Sequence, residues 1–318
     1  MSAEENNYHS TSNFIEDEID LRLLFNQLWA GKWWIILITG IFAIGSVFYA
    51  LSIPDEYKAV ALVAPASETG NGDLSKMAGQ FGGLASIAGV SLGGADTDDT
   101  AIAMEVMQTW GFVDAFIKKH NLEVPIFASR GWDRVSNQLV VDSELYDTTQ
   151  KKWVREAPKG KTIEPTSWEL YKVFKELIMV SHDDDSGLIK IGFTHHSPEY
   201  AQQITQWLID DINVLQKTQA LADAERNISY LEEQINKTQI SDMQKVFYAL
   251  IEEQMKTKML AEVSNEFVFK KISPALEPEE PEGPRRSIIC IGITLLGGFL
   301  SILFLLLKSL IFSNKTNR

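Results

Sequence analysis

Forty-three carboxylates, five histidines and one cysteine are the groups in this 318-residue chain that could do chemistry. The densest grouping is His182 beside Asp183-Asp184-Asp185, with His195 and His196 a short way on. Imidazole nitrogens and carboxylate oxygens together are the donor set of transition-metal sites. Their spacing points elsewhere. Residues 177–180 and 188–193 read as two strands, and Asp183-Asp184-Asp185-Ser186-Gly187 between them reads as a hairpin turn. In that register His182 pairs with Leu188, and His195 lies about seven residues down the ladder, more than about 20 Å away. The aspartates are then turn formers, and no metal ligand is assigned.

A second candidate is the Gly-, Ala- and Ser-rich run from Gly70 to Gly94, with Phe81, Leu84, Ile87, Val90 and Leu92 interspersed. A phosphate cradle would need a Gly-rich turn ending in Gly-Lys-Ser or Gly-Lys-Thr, and this run has no such ending. It reads as a flexible or weakly helical surface element. No HExxH occurs, and carboxylates are too numerous for any close pair to be informative. No catalytic, cofactor-binding or metal residue is assigned and no cofactor is expected. The net charge of -14 argues against nucleic acid, which needs a basic footprint.

The framework around these residues is set by two uncharged apolar runs, 33–53 and 287–307, which enclose a polar, acidic block of more than two hundred residues. About 20 residues at 1.5 Å rise match a hydrocarbon core of roughly 30 Å, so each can cross a bilayer as a helix. The first has no small-x-small cleavage site after it and reads as a permanent anchor. Arg22, Lys32, Lys308, Lys315 and Arg318 flank the spans on the terminal side, against Lys58, Arg285 and Arg286 on the other. This asymmetry places both termini in the cytoplasm and the main domain outside it. Cys290, inside the second run, has no partner for an intramolecular disulfide, so packing holds the fold. The short terminal segments leave no room for a cytoplasmic output domain, which disfavours a signalling receptor.

The expected fold is α+β, two transmembrane helices flanking a domain with a small α/β base and a long helical hairpin. Residues 1–32 form a cytoplasmic arm, with Leu21, Leu24, Phe25, Leu28 and Trp29 on one face of a short amphipathic helix. Transmembrane helix 33–53 leads into a domain at 54–286, whose base comprises 54–197 and 263–273. Strands are expected at 57–64 and 267–272 besides the two above, and helices at 101–120 and 168–176. From Glu199 to Ser273 there is neither Gly nor Pro, and a helical apolar stripe runs from Ile204 to Ile235. Ser197 as N-cap and Pro198 at the first helical position mark its start. One unbroken helix to Ala261 would run about 95 Å and could not return its strand to the base. The extension at 198–262 therefore reverses near Lys237 to Asp242, with Ser241 and Gln244 read as a capping box. A hairpin roughly 60 Å long is too thin to bury its own apolar face, which implies neighbouring copies.

Pro274, Pro278, Pro281 and Pro284, interspersed with Glu277, Glu279, Glu280 and Glu282, make residues 274–286 a stiff extended strut leading to transmembrane helix 287–307 and a cytoplasmic tail at 308–318. Small residues recur four apart at Ser46 and Ala50, Thr294 and Gly298, and Gly297 and Ser301, with Gly292 nearby; they mark close helix packing within or between chains.

Asp17-Glu18-Ile19-Asp20-Leu21 ahead of the first anchor, the long helices, and a proline segment running into a Gly-bearing second anchor together resemble the chain-length determinant family, the polysaccharide co-polymerases of Gram-negative inner membranes. Pro278, Pro281 and Pro284 with Gly292, Gly297 and Gly298 are similar to that family's Pro/Gly signature, although Gly283-Pro284-Arg285 replaces its Ser-Pro-Lys. The resemblance implies a non-enzymatic two-pass inner-membrane protein with a periplasmic domain. Such a protein assembles as a homo-oligomeric ring and sets the modal length of O-antigen in lipopolysaccharide biosynthesis. Its implied partners are the O-antigen polymerase, the growing polysaccharide and the lipid bilayer. The chain carries neither the nucleotide motifs nor the tyrosine cluster of kinase-linked exopolysaccharide relatives, which favours the lipopolysaccharide branch. The alternatives are an inner-membrane adaptor for capsule or exopolysaccharide export and a membrane-bound hydrolase.

Overall fold

A computed structural model describes Trp29 and residues 31–66 and 95–316, with side chains placed for 99–307 in the last stretch. The amphipathic helix expected before Trp29 and the Gly-rich run lie outside the described residues. The chain divides into two compact units, 1–53 with 285–318, and 54–284.

The first unit pairs α1 (Lys32–Ser52) with α8 (Arg286–Thr316). Both are long and apolar enough to cross a membrane. Their outward faces carry exposed Ile36, Leu37, Ile41, Phe48, Ile291, Leu295 and Phe299, a surface suited to lipid rather than water.

The second unit is built on an antiparallel four-stranded sheet in the order β6-β7-β1-β8: β6 Ile178–His182, β7 Ile189–His195, β1 Tyr57–Pro65 and β8 Phe269–Ser273. Along β1 the residues Ala59, Ala61 and Val63 are buried, alternating with more exposed neighbours, as the two-residue period of a strand requires. Ile189, Ile191 and Phe193 of β7 join the same core. Gly192 lies where a Cβ would sit 2.8 Å from the Ala59 carbonyl oxygen, a close backbone approach that only glycine allows.

Helices α2 (Ala95–Val106), α3 (Trp110–His120), α4 (Glu123–Phe127) and α5 (Ser167–Leu177) pack around this sheet with the base of α6 (Pro198–Lys237). The single helix expected over 101–120 is two. Thr109 leaves the helical region at φ -75°, ψ 148° and accepts a hydrogen bond from the Phe112 N–H, so it ends one helix and caps the next. Two small hairpins that the sequence left unassigned fill 129–153: β2 (Ser129–Asp133) with β3 (Gln138–Val141), and β4 (Tyr146–Asp147) with β5 (Lys152–Trp153).

The helical hairpin is present. Ser197 caps α6 by accepting from the Tyr200 N–H, with Pro198 at the first turn. Its 40 residues run about 60 Å. The chain reverses at 238–240 into α7 (Ser241–Val263). The capping box read at Ser241 is not formed. Ile240 is the N-cap and makes no side-chain cap, while the Gln244 amide donates to the Thr238 and Ile235 carbonyl oxygens and so satisfies the end of α6 instead. Asn213 solves the return to the sheet. Fully buried in α6, it accepts from the Val268 and Phe269 N–H groups and donates to the Phe269 carbonyl oxygen, fixing β8 against α6. Beyond it only Ala224 on α6 and Ala261 on α7 are buried, leaving Tyr230, Val246, Tyr248, Met255 and Met259 exposed.

Candidate functional site

The three histidines do not converge. Asp183 forms the expected turn, its Oδ1 accepting from the N–H groups of Ser186 and Asp185 with Gly187 at φ 68°, and these bonds, chiefly those from Ser186, lower its pKa from the usual carboxylate value. The ladder is shifted by one residue, so that His182 pairs with Ile189 rather than Leu188. The cause is that Asp183 and Leu188 close the turn through an Asp183 N–H to Leu188 carbonyl bond. His195 sits at the other end of β7 opposite Tyr57, and His196 lies against the Asp55 carbonyl oxygen. Among the described residues no group of three or more His, Cys, Asp or Glu could hold a metal ion.

His195 is a structural group with a defined tautomer. Its Nδ1 accepts from the Ser197 N–H at 3.0 Å, so Nε2 carries the proton and donates to the Pro125 carbonyl oxygen at 2.9 Å. Burial pushes its pKa down to about 4. Above pH 6.5 the ring is neutral whether folded or unfolded; as pH falls from 6.5 towards 4 only the unfolded chain takes up the proton, and stability drops. The expected loss across that window is about 3 kcal/mol. Denaturation of the full chain in detergent, followed by near-ultraviolet circular dichroism at pH 7.5 and pH 5, checks this: His195→Asn is expected to be less stable at pH 7.5 and to show a flatter slope between the two.

The proline segment 274–284 has no helix or strand of its own and bends at Glu279-Glu280. It is tied to the base at both ends. Ala275 is buried and its carbonyl oxygen accepts from the Gln202 and Gln206 amides of α6. At the other end the Glu56 N–H donates to the Gly283 carbonyl oxygen at 2.9 Å, and the Glu282 N–H donates to the Glu56 carbonyl oxygen at 2.8 Å. The Gly283–Pro284 peptide bond is cis. Pro278 lines a small cleft with Glu277, Glu279, Tyr57, Trp132 and Arg134, whereas Pro274 and Pro281 are exposed. Tyr57 and Trp132 form an edge-to-face pair 5.5 Å apart, and Arg134 donates to the Tyr57 hydroxyl.

Within the helix pair of the first unit, the small residues divide. Ser46, Ala50 and Ser301 are buried to within 2% exposure. A Cβ on Gly297 would lie 2.5 Å from Cβ and Cγ of Phe42, and one on Gly298 would lie 3.8 Å from the Thr39 hydroxyl. These glycines admit the facing helix. Thr294 donates to the Cys290 carbonyl oxygen along its own helix, and Cys290 reaches the Ser46 carbonyl oxygen at 3.7 Å. Gly31 adds a contact that the spacing did not single out, since its Cβ position meets Leu305 at 2.5 Å. Gly292 has nothing within 4 Å of its Cβ position, so it takes no part in the contact inside the chain.

Contrary to the expectation that the chain has no Gly-x-Ser-x-Gly, Gly89-Val90-Ser91-Leu92-Gly93 has that spacing, the one of a serine nucleophile elbow. That pattern lies outside the described residues.

Comparison with known proteins bears on the same elements. Residues 17–119 match the family model described as chain length determinant protein (Wzz), a segment that contains α1, β1, α2 and all but the last residue of α3. Among solved structures, a full-length bacterial polysaccharide co-polymerase aligns over 93% of this chain and 99% of its own length, at 14% identity and a TM-score of 0.37. No curated protein matches in sequence.

Proposed function

From a chain that carries a chain length determinant segment at residues 17–119, we propose a non-catalytic regulator of polysaccharide chain length. The observation that carries this reading is that match, joined to two helices long enough to cross a membrane at either side of the α+β unit. Its location is the Gram-negative inner membrane, a reading supported by the family match, with cytoplasmic termini and a periplasmic domain, an orientation supported by the basic residues flanking the spans. Its polymer is O-antigen, extended by a partner polymerase.

The exposed apolar side chains of α6 and α7 beyond Asn213 support a homo-oligomer in which neighbouring hairpins cover one another. The oligomer acts as a scaffold that holds polymerase and growing glycan together for a characteristic number of additions. The proline segment, tied to the base at Ala275 and Gly283, couples that scaffold to the second membrane helix.

Deleting the gene from its host and running extracted lipopolysaccharide on a silver-stained gel tests the reading. Loss of a modal cluster of long bands with polymer still present is expected; an unchanged ladder would transfer the argument to capsule or exopolysaccharide export. In the complemented strain, Pro281→Ala with Pro284→Ala is expected to alter the band distribution while membrane insertion is kept. Unaltered banding would remove the strut from the mechanism.

A further inference from the structure

The base of the second unit holds a cleft of about 850 Å³ that neither the helix pair nor the proline segment uses. We infer that this cleft is a saccharide-binding site, which takes a short stretch of the growing glycan against Trp153 and Tyr146. The inference deepens the proposed function and rests on it.

The cleft is formed where the β4–β5 hairpin faces α3, α4 and the start of α5. Trp153 and Tyr146 stand in its wall as an edge-to-face pair 5.1 Å apart. Phe127 backs Trp153 edge-on at 5.9 Å, so the indole is held on two sides while remaining only partly buried. Around this aromatic platform lie Lys151 and Lys152 on the hairpin and Glu123 and Glu164 opposite. Lys151, at the turn, adopts φ 52°, a left-handed conformation unusual for a residue with a side chain. Sugar rings present apolar C–H faces and a perimeter of hydroxyls that both donate and accept. An aromatic face ringed by separate donors and acceptors answers both, whereas a nucleotide or anionic lipid would call for a basic cluster without the carboxylates.

The rim is also held in place. Arg155, two residues after Trp153, is buried and spends its guanidinium on the opposite lip: it donates to the carbonyl oxygens of Thr162, Ile163 and Glu164 at 3.1, 2.6 and 3.2 Å. It pairs with Glu169 at 2.9 Å and lies over the Phe127 ring at 5.0 Å. Two walls of the cleft are thus joined through one buried cation, the preorganisation that a binding site needs and a spare surface loop does not.

The test is isothermal titration of the full chain, purified in detergent, with fragments of two to four repeat units released by mild acid from the host's lipopolysaccharide and, separately, from its capsule. Saturable binding of one fragment class is expected. Trp153→Ala is expected to weaken it at least tenfold, Glu164→Gln and Lys152→Ala threefold or more, and Trp168→Ala, an exposed tryptophan outside the cleft, by less than twofold. Glu164 and Lys152 are exposed, so their variants fold whatever Trp153→Ala does. Binding of neither fragment, or binding undiminished in all three cleft variants, would overturn the inference. Tighter binding to vesicles of anionic phospholipid than to either fragment, lost in Lys152→Ala, would overturn it in favour of a lipid surface. These outcomes are separate from the deletion gel: a chain that sets glycan length but binds no fragment loses the cleft and keeps the function.

Discussion

Replacing Gly297 by Leu is expected to force the two apolar helices apart and to abolish the modal cluster of long glycan, with the chain still inserted in the membrane. The reason is steric. Even a methyl group at this position meets Phe42 at 2.5 Å, and the nearest atoms include Phe42 Cβ, which cannot swing away as the tip of a long side chain would. Overpacking of this kind costs about 1–3 kcal/mol where the neighbours can move; a leucine adds three further carbons. Gly292→Leu is the matched control, because its Cβ position has nothing within 4 Å. A direct readout is available in the same helices. Cys290 approaches the Ser46 backbone, so Ser46→Cys is expected to crosslink to it on oxidation within one chain, in the Gly292→Leu background but not in the Gly297→Leu background. Equal crosslinking in both would mean that the helices do not pair through this face.

Arg155→Ala should destabilise the base by about 3 kcal/mol. It deprives Glu169 of its main partner and takes the guanidinium from the carbonyl oxygens of Thr162 and Ile163, while that of Glu164 keeps the Thr162 hydroxyl as donor. The cost stays below the upper end of the range for buried pairs because Lys161 still reaches Glu169 at 2.9 Å. The Arg155 guanidinium, followed by the backbone N–H of Thr166 and by Lys161, holds the Glu169 carboxyl well below the usual carboxylate range. A carboxylate so depressed contributes stability that is complete above about pH 4.5 and is lost as pH falls below it. In Arg155→Ala that acid-side slope should shrink, since the folded and unfolded pKa values draw together. Urea titrations at pH 7 and pH 4 would measure both effects. Arg155→Met is the informative companion: if a buried apolar chain recovers most of the stability, the ion pair serves to position the 162–164 lip rather than to stabilise the fold.

Much of the architecture was legible because its signals are local and periodic. Two uncharged runs, a Ser-Pro helix start at 197–198, a Gly- and Pro-free stretch to Ser273 and the Asp-Ser-Gly turn at 183–187 each act within a few residues. The paired helices and the four-stranded sheet with its long hairpin follow from them. What stayed hidden depends on partners distant in sequence. Asn213 looks like an ordinary polar residue in an amphipathic helix until 268 and 269 are brought to it. Gln244 fits a capping box by spacing, yet its amide is taken by carbonyl oxygens at the end of α6, Thr238 at 2.8 Å and Ile235 at 3.4 Å. Arg155 and Trp153 sit in a mixed stretch with neither helical nor strand period, where nothing local distinguishes a buried cation or a cleft wall from a surface loop.

The proline segment shows the same division. Its composition predicts stiffness, but not the bend at 279–280 or the backbone pairing of Gly283 with Glu56. The coupling proposed between scaffold and membrane helix rests on those bonds, because a segment anchored through its own backbone would pass on displacement that a free linker absorbs.

The most direct test of length control is reconstitution of the polymerase from the same locus in proteoliposomes, with and without this chain, followed by the length distribution of labelled polymer. With the chain present the products are expected to gather around one length while total sugar incorporated stays within about twofold. The same monotonic distribution with and without it, at equal incorporation, would contradict a role in setting chain length.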